Sequence, residues 1–261
     1  MSAALFGLLG KIRKAYPLEK VTQEITVSGV WARPADMVGD VVWITGCGGG
    51  GGGGGANATS SSYHAVAGGG SGACSVFMVP YALLGDAAVS CEVGAGGTGG
   101  SPGLSGANGG DIVFGRLRIP GGNGGDGASA TSSGYDYSSY YANSPLNTHN
   151  ISSYSSSPLD LILTQTPLID GGYGGRYSVG GSKPFASKFT AGTAVYGVGG
   201  GGGASMFGSG GNGSRDADGS PGTGYGSGGG GAAAYSGPGS FYGGDGAPGR
   251  LLITYLRRVI S

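Results

Sequence analysis

The sequence predicts a mainly β fold, in which β-sandwich-like strands are combined with packed polyglycine II helices, long glycine-rich loops and one short N-terminal α-helix. Three observations support this prediction. Glycine contributes 65 of the 261 residues, the apolar residues form short blocks between glycine tracts, and residues 48–55 (the glycine run) are all glycine. So much glycine is typical of disordered chains. However, the formal net charge is +0 and only 11% of the residues are charged, whereas disordered chains usually carry a high net charge.

Residues 2–16 have the pattern of a short amphipathic helix, which Pro17 ends. The basic residues follow most of the apolar ones, so the segment is not typical of a secretory signal. Its apolar stripe could pack on its own domain or on a neighbouring copy, dock as a plug in a larger assembly, or bind a membrane surface. We treat residues 1–20 as an attachment segment. The residues expected to dock on a partner are Leu5, Phe6, Leu8, Leu9 and Ile12.

Residues 21–261 form the predicted glycine-rich β/polyglycine domain. The apolar blocks predict strands at residues 21–31, 41–45, 74–79, 87–93, 112–119, 159–163, 188–198 and 250–256. Alternation in the fourth block places Cys91 on the inward face as a small buried side chain. The second block leads into the glycine run, and residues 199–203 follow the seventh block in the same way.

Glycine tracts that recur after strands predict a packed lattice instead of floppy linkers. Such tracts can adopt an extended left-handed helix with three residues per turn and no internal hydrogen bonds. Neighbouring helices without side chains can approach closely and bond laterally, which would satisfy backbone groups that burial leaves without water. We therefore expect the glycine run to be the buried middle of the scaffold.

The sequence contains no clear pattern for an enzyme active site, a cofactor site or a metal site. Zero net charge provides no electrostatic reason to expect nucleic acid, and no apolar stretch is long enough to span a membrane. The number of cysteines is odd, and their spacing is not that of a zinc site, with or without His64; they are Cys47, Cys74 and Cys91. A reducing compartment during synthesis is therefore the simpler interpretation. Glycine-rich nucleotide and hydrolase patterns occur without the required strand-to-helix context.

Residues 129–158, the tyrosine-rich segment, differ from the rest of the domain and form a Tyr/Ser-rich insertion. Tyrosine offers a large contact area, and serine and asparagine offer adaptable hydrogen bonds, as in antibody paratopes. A solubilising loop or a subunit contact would have the same composition. The aromatic residues within 208–246 are a second candidate surface, unless they cap the lattice edges. The candidate recognition residues are Tyr135, Tyr137, Tyr140, Tyr141, Asn143, His149 and Tyr154.

The order of several short motifs resembles the glycine-rich domain of bacteriophage tail fibres and adhesins, over residues 21–257. A tryptophan-bearing strand leads into polyglycine at residues 41–55, and glycine clusters follow at 68–72, 94–97 and 121–125. The chain then closes with the strand-like residues 246–255.

This resemblance implies a virion tail protein, made in the bacterial cytoplasm, whose loops bind a host polysaccharide or outer-membrane protein. It also implies a homotrimer, other tail or fibre proteins as partners, and no catalytic residues. The chain lacks a long shaft, so residues 2–16 become the expected attachment. Alternatives are a purely structural tail connector and an ice-binding protein, although the latter requires a regular triplet repeat and a flat face.

Overall fold

A computed structural model describes residues 17–59, 64–66, 70, 74–84, 88–130, 135–137 and 199–259. The helix expected at residues 2–16 and the strands expected at 159–163 and 188–198 lie outside these ranges. Within them the fold is mainly β, and the helical structure is one 3-10 turn at Tyr81–Leu83. None of the described helical structure is long and apolar enough to cross a membrane.

The described strands form four sheets and are numbered in chain order. They are β1 (Leu18–Ile25), β2 (Gly29–Ala32), β3 (Met37–Cys47), β4 (Ala56–Ala58), β5 (His64–Val66), β6 (Cys74–Pro80), β7 (Ala88–Glu92), β8 (Ile112–Phe114), β9 (Leu117–Ile119), β10 (Ala128–Ala130), β11 (Tyr135–Tyr137), β12 (Ala233–Ala234), β13 (Gly239–Phe241) and β14 (Arg250–Arg258).

Two antiparallel sheets enclose the main hydrophobic core. Sheet 1 has the order β1-β14-β3-β6, and sheet 2 has the order β2-β7-β8-β9. Alternation along β14 turns Leu251, Ile253 and Tyr255 inward, where they meet Phe114 and Trp31 of sheet 2 in one buried cluster. Sheet 3 (β10-β4-β13) and sheet 4 (β11-β5-β12) are small, and each contains one parallel and one antiparallel pair.

The single strand expected at residues 21–31 is wrong, because this stretch forms β1 and β2 in different sheets. Alternation alone predicts that Val27 faces inward, but Val27 is 76% exposed. The chain changes sheets at Val27 and Ser28, so the period-two pattern does not continue through them. The expected strand at residues 112–119 is a hairpin, whose turn includes Gly115 at φ 59. The strand expected at residues 250–256 is confirmed, and Cys91 is buried as expected.

The glycine run is buried throughout its length, which confirms the expectation that it lies in the middle of the scaffold. Its backbone bonds laterally with a spacing of three residues. The N–H groups of residues 49, 52 and 55 donate to carbonyls of residues 110, 107 and 104, in a segment that runs the opposite way. The carbonyls of residues 49, 52 and 55 accept from N–H groups of residues 122, 125 and 128, in a segment that runs the same way.

The neighbours of the run approach too closely for any side chain. A Cβ added at each of its eight positions would lie within 3.0 Å of backbone atoms of another segment. The neighbouring segment that each glycine contacts changes with the same three-residue period. Residues 48, 51 and 54 contact 120–127, and residues 49, 52 and 55 contact 95–101. Residues 50 and 53 contact 227–231. Glycine is therefore required by contact at every position.

Outer segments use side chains to complete the backbone bonding. Asp111 Oδ1 accepts from the N–H of Gly121 at 2.8 Å, and Asn108 Oδ1 accepts from the N–H of Gly124 at 2.8 Å. Ser105 Oγ accepts from Gly127 in the same way, at 3.2 Å. The side chains at residues 105, 108 and 111 thus pair N–H groups that the neighbouring backbone does not reach, as polar groups in a packed region require.

Candidate functional site

The glycine run separates two ends of the domain. At the terminal end, Leu18 pairs with Arg258 where β1 begins and β14 finishes, and the N–H of Val259 donates to the carbonyl of Pro17 at 3.0 Å. β3 runs from this end to Cys47, where the glycine run begins. The run leads to β4, in sheet 3. We call the side of sheets 3 and 4 the distal end.

Apart from β11, residues 131–198 lie outside the described ranges, and the described residues on either side of them lie at the distal end. On the outgoing side, the N–H of Ala128 donates to the carbonyl of Gly55 at 3.0 Å. On the returning side, a Cβ on Gly199 would meet Gly231, whose neighbour Ala232 donates to the carbonyl of Gly54 at 3.0 Å. Both connections therefore lie beside the last residues of the glycine run.

Of the recognition residues expected from the sequence, Tyr135 and Tyr137 are described as backbone positions. They belong to β11, which pairs in parallel with His64 and Val66 of β5 in sheet 4. Tyr140, Tyr141, Asn143, His149 and Tyr154 lie outside the described residues, as do Leu5, Phe6, Leu8, Leu9 and Ile12.

An arginine–aspartate pair orders one tyrosine beside sheet 4. Asp216, at φ 50, accepts the N–H groups of Tyr235 and Ser236 on Oδ1 at 2.7 and 2.9 Å. Arg215 Nε lies 3.7 Å from Asp216 Oδ2, and the Arg215 guanidinium lies 4.7 Å from the centre of the Tyr235 ring. Burial acts to raise the pKa of Asp216, but the hydrogen bonds from Ser236 and Tyr235 and the Arg215 charge outweigh burial and lower it.

A second aspartate in the same loop fixes a second tyrosine. Asp218 Oδ1 accepts the N–H of Tyr242 at 2.8 Å, and the N–H of Gly219 donates to the Tyr242 carbonyl at 2.8 Å. Tyr242 is 54% exposed. The sequence pattern identified both tyrosines as candidates but not the aspartates that hold them. The spacing Asp-x-Asp among glycines was the available signal, because short acidic side chains accept local backbone N–H groups.

The arrangement places the Tyr235 ring against the Arg215–Asp216 pair and holds the backbone of the exposed Tyr242 nearby, which suits non-covalent recognition. A guanidinium held over an aromatic face is a stable contact even when partly exposed. Among the described residues, no group of three or more His, Cys, Asp or Glu side chains could hold a metal ion.

Two of the three cysteines form a disulfide, Cys47–Cys74, which neither their odd number nor their separation of 27 residues predicted. The two residues are direct partners across β3 and β6, so the sheet register brings them together. Cys91 is free and buried. Burial, with a contribution from Glu92, raises the pKa of the Cys91 thiol to about 11, so this thiol stays protonated near neutral pH.

An open groove of about 360 Å³ lies between the edge strands β1 and β2. Val27 and Val30 line it and are more than two-thirds exposed. Trp31 Nε1 donates to Gln23 Oε1 at 2.5 Å on its inner side, so the polar atoms of this pair are already engaged with each other.

The chain is similar to a known family over most of its length. A family described as a glycine-rich domain matches residues 25–256, which extends from the last residue of β1 into β14. A comparison with curated proteins finds no match.

Proposed function

The chain belongs to the glycine-rich domain family, and we propose that it is the receptor-binding tip of a bacteriophage tail fibre. The observation that carries the proposal is the position of the insertion. The described residues on either side of it, Ala128 and Gly199, lie at the distal end, whereas Pro17 and Val259 are bonded to each other at the terminal end. An adhesin needs this separation, because its attachment and its recognition loops must face opposite directions.

Polyglycine II helices between the two ends, beside a β-sandwich of sheets 1 and 2, would make the separation rigid. The three-residue period of the lateral bonds of the run supports such helices, and the shared core of the two sheets supports the sandwich. Eight residues at about 3.1 Å each would hold the two ends roughly 25 Å apart. A rigid spacer lowers the entropy lost when the loops meet a receptor.

Recognition is assigned to the tyrosine-rich segment, with the exposed side of Tyr242 and the Arg215–Tyr235 pair beside it. Tyrosine rings and hydroxyl-rich loops suit a host polysaccharide or the outer loops of a membrane protein. Repeated copies in a homotrimer, and several fibres on one virion, would convert weak single contacts into strong adsorption. Other tail or fibre proteins would hold the terminal end.

The test replaces Tyr137, Tyr140 and Tyr141 together with alanine and measures adsorption to host cells. We expect adsorption to be lost while the unfolding midpoint stays unchanged. The matched control replaces three serines of the same segment with alanine, which changes as many positions without removing an aromatic ring; the serines are Ser152, Ser153 and Ser155.

Unchanged adsorption by the tyrosine variant would remove the segment from the proposal. Exchange of residues 129–158 between related phages then separates the two remaining cases. If host range follows the exchanged segment, other residues in it bind the receptor. If host range is unaffected, the protein is a structural tail connector that meets no receptor through this segment.

A further inference from the structure

The face of sheet 1 that points away from the core carries an open apolar strip. Alternation along β14 turns Leu252, Thr254 and Leu256 to this face, and none of the three is fully buried. Trp43 of β3 lies opposite Thr254 on one side and opposite Met78 of β6 on the other. Trp43 is 37% exposed, and Met78 on the edge strand β6 is 55% exposed, so two large apolar side chains lie side by side on this face.

The same face is covered at the end nearest the glycine run. The Arg250 guanidinium lies 4.7 Å from the Phe207 ring centre and 5.1 Å from that of Tyr225. Arg250 Nε also lies 2.9 Å from Glu24 Oε1. Two turns of the glycine region therefore pack over this part of the face, and the apolar strip begins where their cover stops.

We propose that residues 2–16 of the same chain pack as a helix on this strip. Residues 2–16 join the described structure next to this face. Pro17 directly precedes β1, which is the edge strand beside β14 in sheet 1. A segment attached to the sheet by a single residue has an effective concentration in the millimolar range or above, which a separate copy cannot match in dilute solution.

The dimensions of the helix and the strip agree. The stripe from Leu5 to Ile12 extends about 10 Å at 1.5 Å per residue, and the strip from Leu252 to Leu256 extends about 13 Å at 3.3 Å per residue. A helix that leads into β1 at the terminal end would place Ile12 near Leu256 and Leu5 near Leu252. Lys14 would lie on the opposite side of the helix, toward solvent.

The helix needs such a surface. A helix of about 15 residues is marginal alone in water, and Gly7 and Gly10 weaken it further, each by about 1 kcal/mol relative to alanine. An apolar stripe buried on its own sheet is not available to a partner, so attachment at the terminal end would use the solvent side of the helix and the sheet edges. This inference does not depend on what the distal end binds.

The first test follows acrylamide quenching of Trp43 in the full chain. Trp31 is the other tryptophan, and subtraction of the signal of a Trp43→Phe variant removes its contribution. Leu9→Asp should raise the quenching constant of Trp43 about threefold, because a side chain covered by a helix becomes open to solvent. The matched control, Lys14→Ser, changes a residue on the solvent side and should leave the constant unchanged. Equal quenching in Leu9→Asp and the unmodified chain would overturn the proposal.

The second test identifies the occupant. Leu8→Cys combined with Met78→Cys should react with a short bismaleimide to give a cross-link within one chain, at a yield that does not change on dilution. Lys14→Cys with Met78→Cys is the control and should not cross-link. A cross-link between chains would assign the strip to a second copy, and no cross-link in either form would leave residues 2–16 elsewhere; both results contradict the proposal.

Discussion

Replacement of Gly51 by alanine tests whether the glycine run is held by contact. Gly51 lies in the middle of the run, and its carbonyl accepts from the N–H of Gly229 at 2.9 Å. An added Cβ would lie 2.8 Å from the backbone nitrogen of Gly124 and closer still to the Asn123 carbonyl. These are backbone atoms, which cannot rotate aside as the end of a flexible side chain can.

The expected loss in the free energy of unfolding follows from the backbone that the added methyl group displaces. Forcing an extra methyl into a packed region costs about 1–3 kcal/mol. Residues 120–127 must also retreat from the run, and two bonds hold them there, from Gly122 to the carbonyl of Gly49 at 2.7 Å and from Gly125 to that of Gly52 at 2.8 Å. Loss of each bond costs about 1 kcal/mol. We therefore expect Gly51→Ala to lower the free energy of unfolding by roughly 3–5 kcal/mol, a large part of the 5–15 kcal/mol typical of a domain.

Gly29→Ala is the matched control. A Cβ at Gly29 would meet nothing within 4 Å, and no positive φ strains the position. Alanine there restricts the unfolded chain, which is worth about 0.4–1 kcal/mol of stability. The measurement is the free energy of unfolding from denaturant titration, followed by circular dichroism and tryptophan fluorescence together.

The outcome that refutes this reasoning is a loss below about 1 kcal/mol for Gly51→Ala with an unchanged denaturant slope. The run would then tolerate a side chain, as a loose linker does. A loss of equal size in Gly29→Ala would point to a general effect of added methyl groups, and contact with residues 120–127 would no longer explain the result.

Three further outcomes are expected. Reduction of Cys47–Cys74 should lower the free energy of unfolding by about 3–4 kcal/mol, since the disulfide closes a loop of nearly thirty residues; denaturant titration with and without dithiothreitol measures it, and no difference would contradict it. Cys91 should resist a thiol reagent at pH 8 until the protein unfolds, because its pKa is raised to about 11; rapid labelling of the native protein would show that its burial is wrong. The pKa of Asp216 is lowered in the folded protein, so its contribution to stability is present above the ordinary aspartate pKa and is lost as pH falls through the lower, folded value. Asp216→Asn should therefore reduce the loss of stability on acidification. An unchanged dependence of the free energy of unfolding on pH would contradict that expectation.

Local patterns predicted those parts of the fold in which a segment keeps one environment. Residues 250–256 alternate along a single sheet, and the strand exists. The expected strand at residues 21–31 failed because Val27 and Ser28 lie between two sheets. Alternation describes a side chain relative to one surface, so it carries no information about a change of sheet.

The disulfide and the distal aspartates depend on long-range placement. Cys47 and Cys74 face each other because of the register between β3 and β6, which no local pattern specifies. Asp216 and Asp218 receive N–H groups from residues 19 to 24 positions further along the chain. Pairings of this kind follow from topology, and a neutral, glycine-rich sequence offers few side chains from which topology could be deduced.

Two outer segments have a local triplet spacing that is recognised once the contacts of the glycine run are known. Non-glycine residues recur at 95, 98 and 101 and at 120, 123 and 126. Two glycines separate successive members of each series. A three-residue period places every third residue on the same side, and Ala95, Thr98 and Ser101 are all exposed. The glycines between them lie against other segments. Every third position of an outer segment can therefore accept a side chain, whereas no position of the glycine run can. Variety of side chains in these outer segments is therefore confined to every third position.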